Sequence, residues 1–502
     1  MTLEYIKEIL TSNVYEIAKI TPLEKMKYLS ESYGNNIFLK REDLQVGNSF
    51  KVRGVYNKMK NVIREKKKFV CASTGNHAYA VLKVAKHFGV ECVAIMAKTT
   101  SMQTIQMIER EGGRVELFGD TYDDALTYAK TYDKDYCFVD SYDDHDIIMG
   151  SSTVAVEIVN QLGLKIKDVN AIFVPVGGGA LLAGIAIYVK ELYPKIKIIG
   201  VGVQGACAMD LSLRAGVRSE VKKPNTFVHS LGVKHVGLEA FKICQKYVDE
   251  IILVTDDEIC GMIKHLYNDI HVIVEAAGAI ALIGLAKYVD REKSVGENFV
   301  AILSGNNLEF SKLKYISERA CIGDKSEIQI RIDMEEEAGG LIKLLRHLDH
   351  PNIRESLNLT KFHYRFRTED AKMAKLYVGF SMECESGVTS VVEILREKYV
   401  VKEMENRIIN RYVSYFVGGG AAVRDEYVFI VRLPEKSGAL LNFLTRTENM
   451  INITMFHYQN DGGVWGNIVL GLTLRKISYE DFVKVLMAIH CISFSVERKI
   501  DI

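Results

Sequence analysis

The run "AIFVPVGGGALLAGIAIYV", residues 171–189, carries no charged side chain and is nearly long enough to cross a bilayer. Pro175 and the three glycines at 177–179 divide it. Proline cannot extend a helix backwards, and consecutive glycines favour a turn. The stretch therefore reads as a short strand, a tight turn and a helix, all apolar because they lie inside an α/β core. A parallel strand covered on both faces has this continuous hydrophobic character.

The same grammar extends outward to about residue 320. Strand candidates are "FVCAS" (69–73), "ECVAIM" (91–96), "AIFVPV" (171–176), "KIIGVGV" (197–203), "IILVT" (251–255) and "FVAILS" (299–304). Helical patterns such as "HAYAVLKVAKHFG" and "ALLAGIAIYVKELY" fall between them. Alternating β and α segments predict open, mainly parallel sheets with helices on both faces.

Beyond residue 325 the pattern changes and repeats. "EIQIRIDMEEEAGGLIKLLRHL" (327–348) parallels "EYVFIVRLPEKSGALLNFLTRT" (426–447), and "TKFHYRF" (360–366) parallels "TMFHYQN" (454–460). Each copy continues with a strand, an amphipathic helix and a last short strand. The order β-α-β-β-α-β is a ferredoxin-like unit, present twice. The expected domains are 1–322, 325–418 and 424–502.

Composition sets outer limits. Lysine plus arginine equals aspartate plus glutamate at 64 each, so no global basic field invites nucleic acid or membrane. Nine cysteines occur without a CxxC pair, which disfavours a zinc ribbon and fits a reducing cytoplasm. The acidic N-terminus, "MTLEYIKEILTSNVYEI", does not resemble a signal peptide. No metal site is expected.

Four places carry candidate chemistry. In "REDLQVGNSFKVRG" (41–54) a helix is expected to begin behind Asn48 or Ser49 as N-cap, with Lys51 in its first turn. The helix dipole and nearby Arg53 would disfavour the ammonium and prepare a nucleophilic amine. The alternative is a solvated surface lysine. In "CASTGNHAYA" (71–80), Ser73, Thr74, Gly75, Asn76 and His77 span a strand-to-helix turn that offers hydroxyls, an amide and free N–H groups to a carboxylate. A plain βα turn with Asn76 as cap is the other reading, and His77 would sit in the helix. Gly177, Gly178 and Gly179 let the backbone approach an anion at a helix N-terminus. Neither a Walker lysine nor the last glycine of a dinucleotide fingerprint follows, which leaves a single phosphate. A packing turn is the alternative there. Ser304 ends the strand in "VAILSGNN". A low-pKa lysine, a phosphate cradle, a carboxylate cradle and a strand-end hydroxyl are together the parts that pyridoxal phosphate requires.

These residues resemble a known family. "ITPLEKMKYLSESYGNNIFLKREDLQVGNSFKVRG", "STGNHA", "VPVGGGALLAG", "VEAAGA" and "LSGNN" look like fold type II pyridoxal-phosphate enzymes, specifically the biosynthetic threonine deaminases. The doubled C-terminal unit is similar to that family's paired ACT-like regulatory domains. The resemblance implies Lys51 as the Schiff-base lysine with Phe50 beside the ring, and Asn76 on the phenolic oxygen. It implies backbone amides of Gly177, Gly178, Gly179, Ala180 and Leu181 on the phosphate, and Ser304 at the pyridine nitrogen. It further implies L-threonine, or L-serine, as substrate. Isoleucine is the implied inhibitor and valine the opposing ligand, near Phe362, His363, Tyr364, Phe456, His457 and Tyr458. A homotetramer is also implied.

The chain departs from the family at several points. Ala180 replaces a fourth glycine, Ala276 a proline, "GSST" (150–153) the usual "GQGT", and "VHSLGV" (228–233) the usual "ADGIAV". Thr74 stands where alanine is common, and a hydroxyl there would permit some racemisation. Two other functions therefore stay open: a serine/threonine dehydratase with racemase activity, or an amino-acid sensor without turnover.

Overall fold

The computed structural model describes residues 2–222, 227–324, 326–335, 343–344, 347–348, 358–363, 373–381, 385–403, 426–434, 443, 446–447, 450–459, 465–475, 477–489 and 493–500. The chain forms two compact units, Met1–Phe310 and Ser311–Ile502, which places the helix Lys312–Gly323 in the second.

The first unit contains two sheets. The larger has the strand order Leu23–Lys25, Asn36–Arg41, Asn298–Leu303, Val169–Pro175, Lys197–Val203, Glu250–Val254. All its pairings are parallel except the first. The smaller sheet is parallel throughout, in the order Arg114–Leu117, Glu91–Met96, Lys68–Ala72, Tyr136–Phe138. Every strand expected from the apolar runs is present to within a residue or so. The run that opens the sequence reading becomes the strand Val169–Pro175 and the helix Ala180–Leu192, both almost wholly buried.

Among the described residues, one helical run is long and apolar enough to cross a membrane, His145–Asp168. It is interrupted at Ser152 and again at Gly163, and 61% of its most apolar window is buried inside the protein. Burial in the core accounts for its composition.

Strand Asn36–Arg41 escapes the apolar pattern because Lys40 and Arg41 end it, yet both are buried. Arg41 is held by Asp43 and Glu24 at 2.8 and 2.7 Å, and distant partners hold Lys40. Lys40 Nζ donates to Glu157 at 2.6 Å, and Arg53 lies between Glu42 and Glu157 at 2.8 and 2.6 Å. Thr153, Thr21 and the Lys19 carbonyl bind the remaining polar atoms. Two cations and two anions balance in a dry core, where an unpaired charge would be costly.

The second unit holds two four-stranded antiparallel sheets with identical connectivity. One runs Asn358–His363, Met373–Ser381, Glu327–Glu335, Val400–Glu403; the other runs Ile451–Gln459, Trp465–Leu474, Glu426–Pro434, Ser493–Ile500. Helices Glu385–Arg396 and Tyr479–Ala488 are the second helices of the repeats. The first helices fall mainly outside the described residues. Ile330, Ile332, Leu376 and Val378 make one core, and Phe429, Val431, Ile468 and Leu470 the other. The sequence repeat is thus a structural repeat.

Candidate active site

Lys51 is the first residue of the helix Lys51–Val62, but neither expected cap serves it. Phe50 occupies the cap position without a side-chain bond, and the Ser49 hydroxyl is buried with no hydrogen-bond partner. Asn48 is left-handed at φ 54° and turns its amide to Asn307 at 3.1 Å. Tertiary bonds hold the segment instead: Ser49 bridges Gly305, and the Phe50 N–H donates to the Ser304 carbonyl at 3.2 Å. These bonds bring the lysine beside the end of the central strand.

One cavity gathers Phe50, Lys51, Asn76, Tyr142, Pro175, Gly177, Gly178, Gly179, Ala180, Leu181, Ser230, Leu231, Glu275, Ala277 and Ser304. Most of these residues follow the carboxyl ends of parallel strands or begin helices, the usual place for ligands in open α/β folds. Lys51 Nζ donates to the Ser141 carbonyl at 2.8 Å and lies 5.3 Å from the centre of the Phe50 ring. Burial lowers its pKa to about 8, against Asp140 and Glu275, which raise it. Arg53 is not among the causes: its guanidinium is committed to Glu42 and Glu157. The amine is made less basic by desolvation.

The glycine turn is shaped by what presses on it. A Cβ on Gly178 would sit 2.0 Å from the Tyr142 ring, and one on Gly177 would sit 2.9 Å from the Leu231 Cα. Gly179 has φ +104°, a conformation that side chains rarely adopt. The first N–H groups of helix Ala180–Leu192 have no carbonyl partner within the helix, and its dipole favours an anion there. Tyr142 went unassigned in the sequence because it belongs to no local pattern, and Glu275, although it lies in "VEAAGA", was given no role.

Of the stretch 73–77, Asn76 lines the cavity. The Ser73 hydroxyl instead accepts from the Gly75 and Ala78 N–H groups at 2.9 and 3.0 Å. Thr74 is exposed and Gly75 precedes the helix at φ 153°. His77 is buried in the helix Asn76–Phe88, its Nε2 bonded to the Val139 carbonyl at 2.9 Å. Burial, reinforced by Lys51, lowers its pKa to about 4 and keeps it neutral. The Ser304 hydroxyl lies 3.1 Å from the Ala277 carbonyl. Phe362 and His363 lie on the strand Asn358–His363, and Phe456, His457 and Tyr458 lie on the equivalent strand Ile451–Gln459. Tyr364 lies outside the described residues.

Residues 15–305 match the family described as "Pyridoxal-phosphate dependent enzyme", and residues 417–497 match the "C-terminal regulatory domain of Threonine dehydratase". The chain is 35% identical to the biosynthetic L-threonine dehydratase of Pasteurella multocida over 95% of its own length and 93% of that protein. It is 37% identical to a chloroplastic biosynthetic threonine dehydratase of Solanum lycopersicum, over 95% and 78% of the two chains. A solved threonine deaminase from the same plant superimposes with a TM-score of 0.62 at 40% identity, covering 64% of this chain and 88% of that one. A serine racemase from Dictyostelium discoideum gives 0.56 at 28% identity, over 62% and 99%.

The cavity suits pyridoxal phosphate. A buried amine of lowered basicity faces a turn too crowded for side chains, whose helix end is open to an anion. With its alternating α/β unit, its paired C-terminal sheets and its full-length likeness to these relatives, the chain belongs to the biosynthetic threonine dehydratases of the pyridoxal-phosphate-dependent enzyme family.

Proposed function

We propose that this chain deaminates L-threonine by dehydration, giving 2-oxobutanoate and ammonia, the first step of isoleucine biosynthesis. Branched-chain amino acids bound to the C-terminal pair would adjust the rate. The observation that carries the reading is the meeting of Lys51, the glycine turn, Asn76 and Ser304 in one cavity.

Pyridoxal phosphate, when bound, supplies an aldehyde for an amine and a ring that draws electrons from the substrate Cα. In this reading, Lys51 holds the cofactor and, once released, takes the proton from Cα. Backbone amides of 177–181 bind the phosphate, and Phe50 and Tyr142 enclose the site. Ser304, whose hydroxyl donates to the Ala277 carbonyl, would face the pyridine nitrogen. A hydroxyl carries no charge, so this chain would supply no counter-ion to that nitrogen. The turn at 73–77 would receive the substrate carboxylate through its backbone, because the Ser73 hydroxyl and the His77 ring are already bonded.

Isoleucine as inhibitor and valine as its opponent would bind near the paired strands that carry Phe362 and His363, and Phe456, His457 and Tyr458, with Tyr364 adjoining. Each effector must favour a different conformation to change the rate. Domain limits at 1–322, 325–418 and 424–502, a homotetramer and a cytoplasmic location complete the proposal.

The test is the purified protein itself. It should be yellow with pyridoxal phosphate and release oxo acid from threonine, and isoleucine should slow that release. Lys51→Ala should remove both the colour and the activity. A wild-type protein that takes up no pyridoxal phosphate would end the proposal.

A further inference from the structure

Beside the cavity runs a line of side-chain amides that ends on a carboxylate. Asn48 Nδ2 donates to Asn307 Oδ1 at 3.1 Å, and Asn307 Nδ2 donates to Asn76 Oδ1 at 2.7 Å. Asn76 Nδ2 then donates to Glu275 Oε1 at 2.7 Å. Asn307 Nδ2 also donates to the Gly47 carbonyl at 2.9 Å. Of the four side chains, Asn76 and Glu275 line the cavity, whereas Asn48 and Asn307 do not.

An amide can face either way unless its neighbours forbid one orientation. Here both ends of the line are decided. The Gly47 carbonyl can only accept, so Asn307 must present its NH₂ group on that side. The same group reaches Asn76, so Asn76 must answer with its oxygen. The NH₂ group of Asn76 then faces Glu275 and the cavity, with one hydrogen bound to the carboxylate and the other left for a ligand. Space is fixed as well as polarity: a Cβ on Gly305 would lie 2.6 Å from Glu275 Oε1, so the turn after Ser304 closes directly over this carboxylate.

We infer that Asn307 is a positioning residue of the dehydratase, which fixes the Asn76 amide so that it offers a donor, not an acceptor, to the ring oxygen of pyridoxal phosphate. The inference rests on the function proposed above. Asn307 acts through Asn76 and through its own anchor on Gly47. Asn48 contributes one further bond, at the far end. A donor aimed at the ring oxygen stabilises its anion; without that donor, the oxygen keeps its proton to higher pH.

The experiment compares wild type, Asn307→Asp and Asn48→Gly as full chains, each loaded with pyridoxal phosphate. Aspartate keeps the shape of the residue but cannot donate to Gly47 or Asn76. Glycine tolerates the left-handed backbone at position 48 and removes only the distal bond. The readouts are the pH midpoint of the visible absorbance and the dissociation constant for pyridoxal phosphate. Asn307→Asp should raise the midpoint by about one pH unit and weaken cofactor binding about tenfold. Asn48→Gly should move both in the same direction by less. If both variants titrate at the wild-type midpoint, the inference is overturned, even where activity falls, while the proposed function stands on the wild-type protein. If Asn307→Asp does not fold, Asn48→Gly decides alone: an upward shift supports the line of amides and an unchanged midpoint overturns it. A wild-type chain that binds no cofactor removes both the inference and the reading beneath it.

Discussion

The Phe50 amide nitrogen donates to the Ser304 carbonyl oxygen at 3.2 Å. That single bond joins the residue before Lys51 to the end of the central strand, Asn298–Leu303. The nucleophilic amine and the strand-end hydroxyl therefore share one rigid support, although neither is near the other in sequence.

Desolvation of Lys51 predicts a pH dependence in cofactor capture. The neutral amine is the form that attacks an aldehyde, and its pKa is lowered to about 8 by burial. In cofactor-free protein the rate of pyridoxal phosphate uptake should rise about tenfold per pH unit below pH 8 and then level. Stopped-flow absorbance measures this. A rate still climbing toward pH 10 would mean an ordinary solvated lysine.

Gly178→Ala should damage the site through Tyr142. The new methyl would meet the aromatic ring at 2.0 Å, and ring and turn are both built into the cavity wall. Overpacking of this kind costs about 1–3 kcal/mol. Calorimetry should show the loss of stability and equilibrium dialysis a weaker hold on pyridoxal phosphate. Wild-type affinity in the variant would show that the turn has room to spare.

Arg53 should matter for stability rather than for lysine basicity. Burial alone would lower its pKa, but Glu42 and Glu157 raise it, so it remains charged in the core. Arg53→Met leaves Glu42 without its cation and Glu157 with Lys40 alone, and should cost about 3–5 kcal/mol in denaturant unfolding. Arg53→Lys should recover little of it, because an ammonium cannot reproduce the two bonds to Glu42. A variant as stable as wild type would remove this network from the account of the fold.

His145 sits between Glu8 and Glu239, with ring nitrogens 2.5 and 2.7 Å from their oxygens. Hydrogen bonding to Glu239 leads the causes that raise its pKa to about 9. The folded value lies above the unfolded one. Its contribution is therefore complete below pH 6.5 and fades as pH rises through about 9. Glu8 belongs to the helix Thr2–Thr11, so His145→Ala should speed amide exchange over residues 2–11 at neutral pH and change little at pH 10. Equal exchange in the two proteins at pH 7 would count against the clamp.

Much of this protein follows from its sequence alone. The strand–turn–helix at 169–192, the alternation around it and the doubled C-terminal unit are all local patterns, and local periodicity depends only on which faces are buried. The glycine turn, Asn76, Lys51 and Ser304 could be picked out because each marks an element boundary. What tertiary structure alone decided is partnership. Lys51 owes its low basicity to burial, not to Arg53, and Asn36–Arg41 hides as a strand because Lys40 is paired with Glu157 and Arg41 with Asp43 and Glu24. Electrostatic and hydrogen-bond partners are set by distance in space, which neither spacing nor composition records.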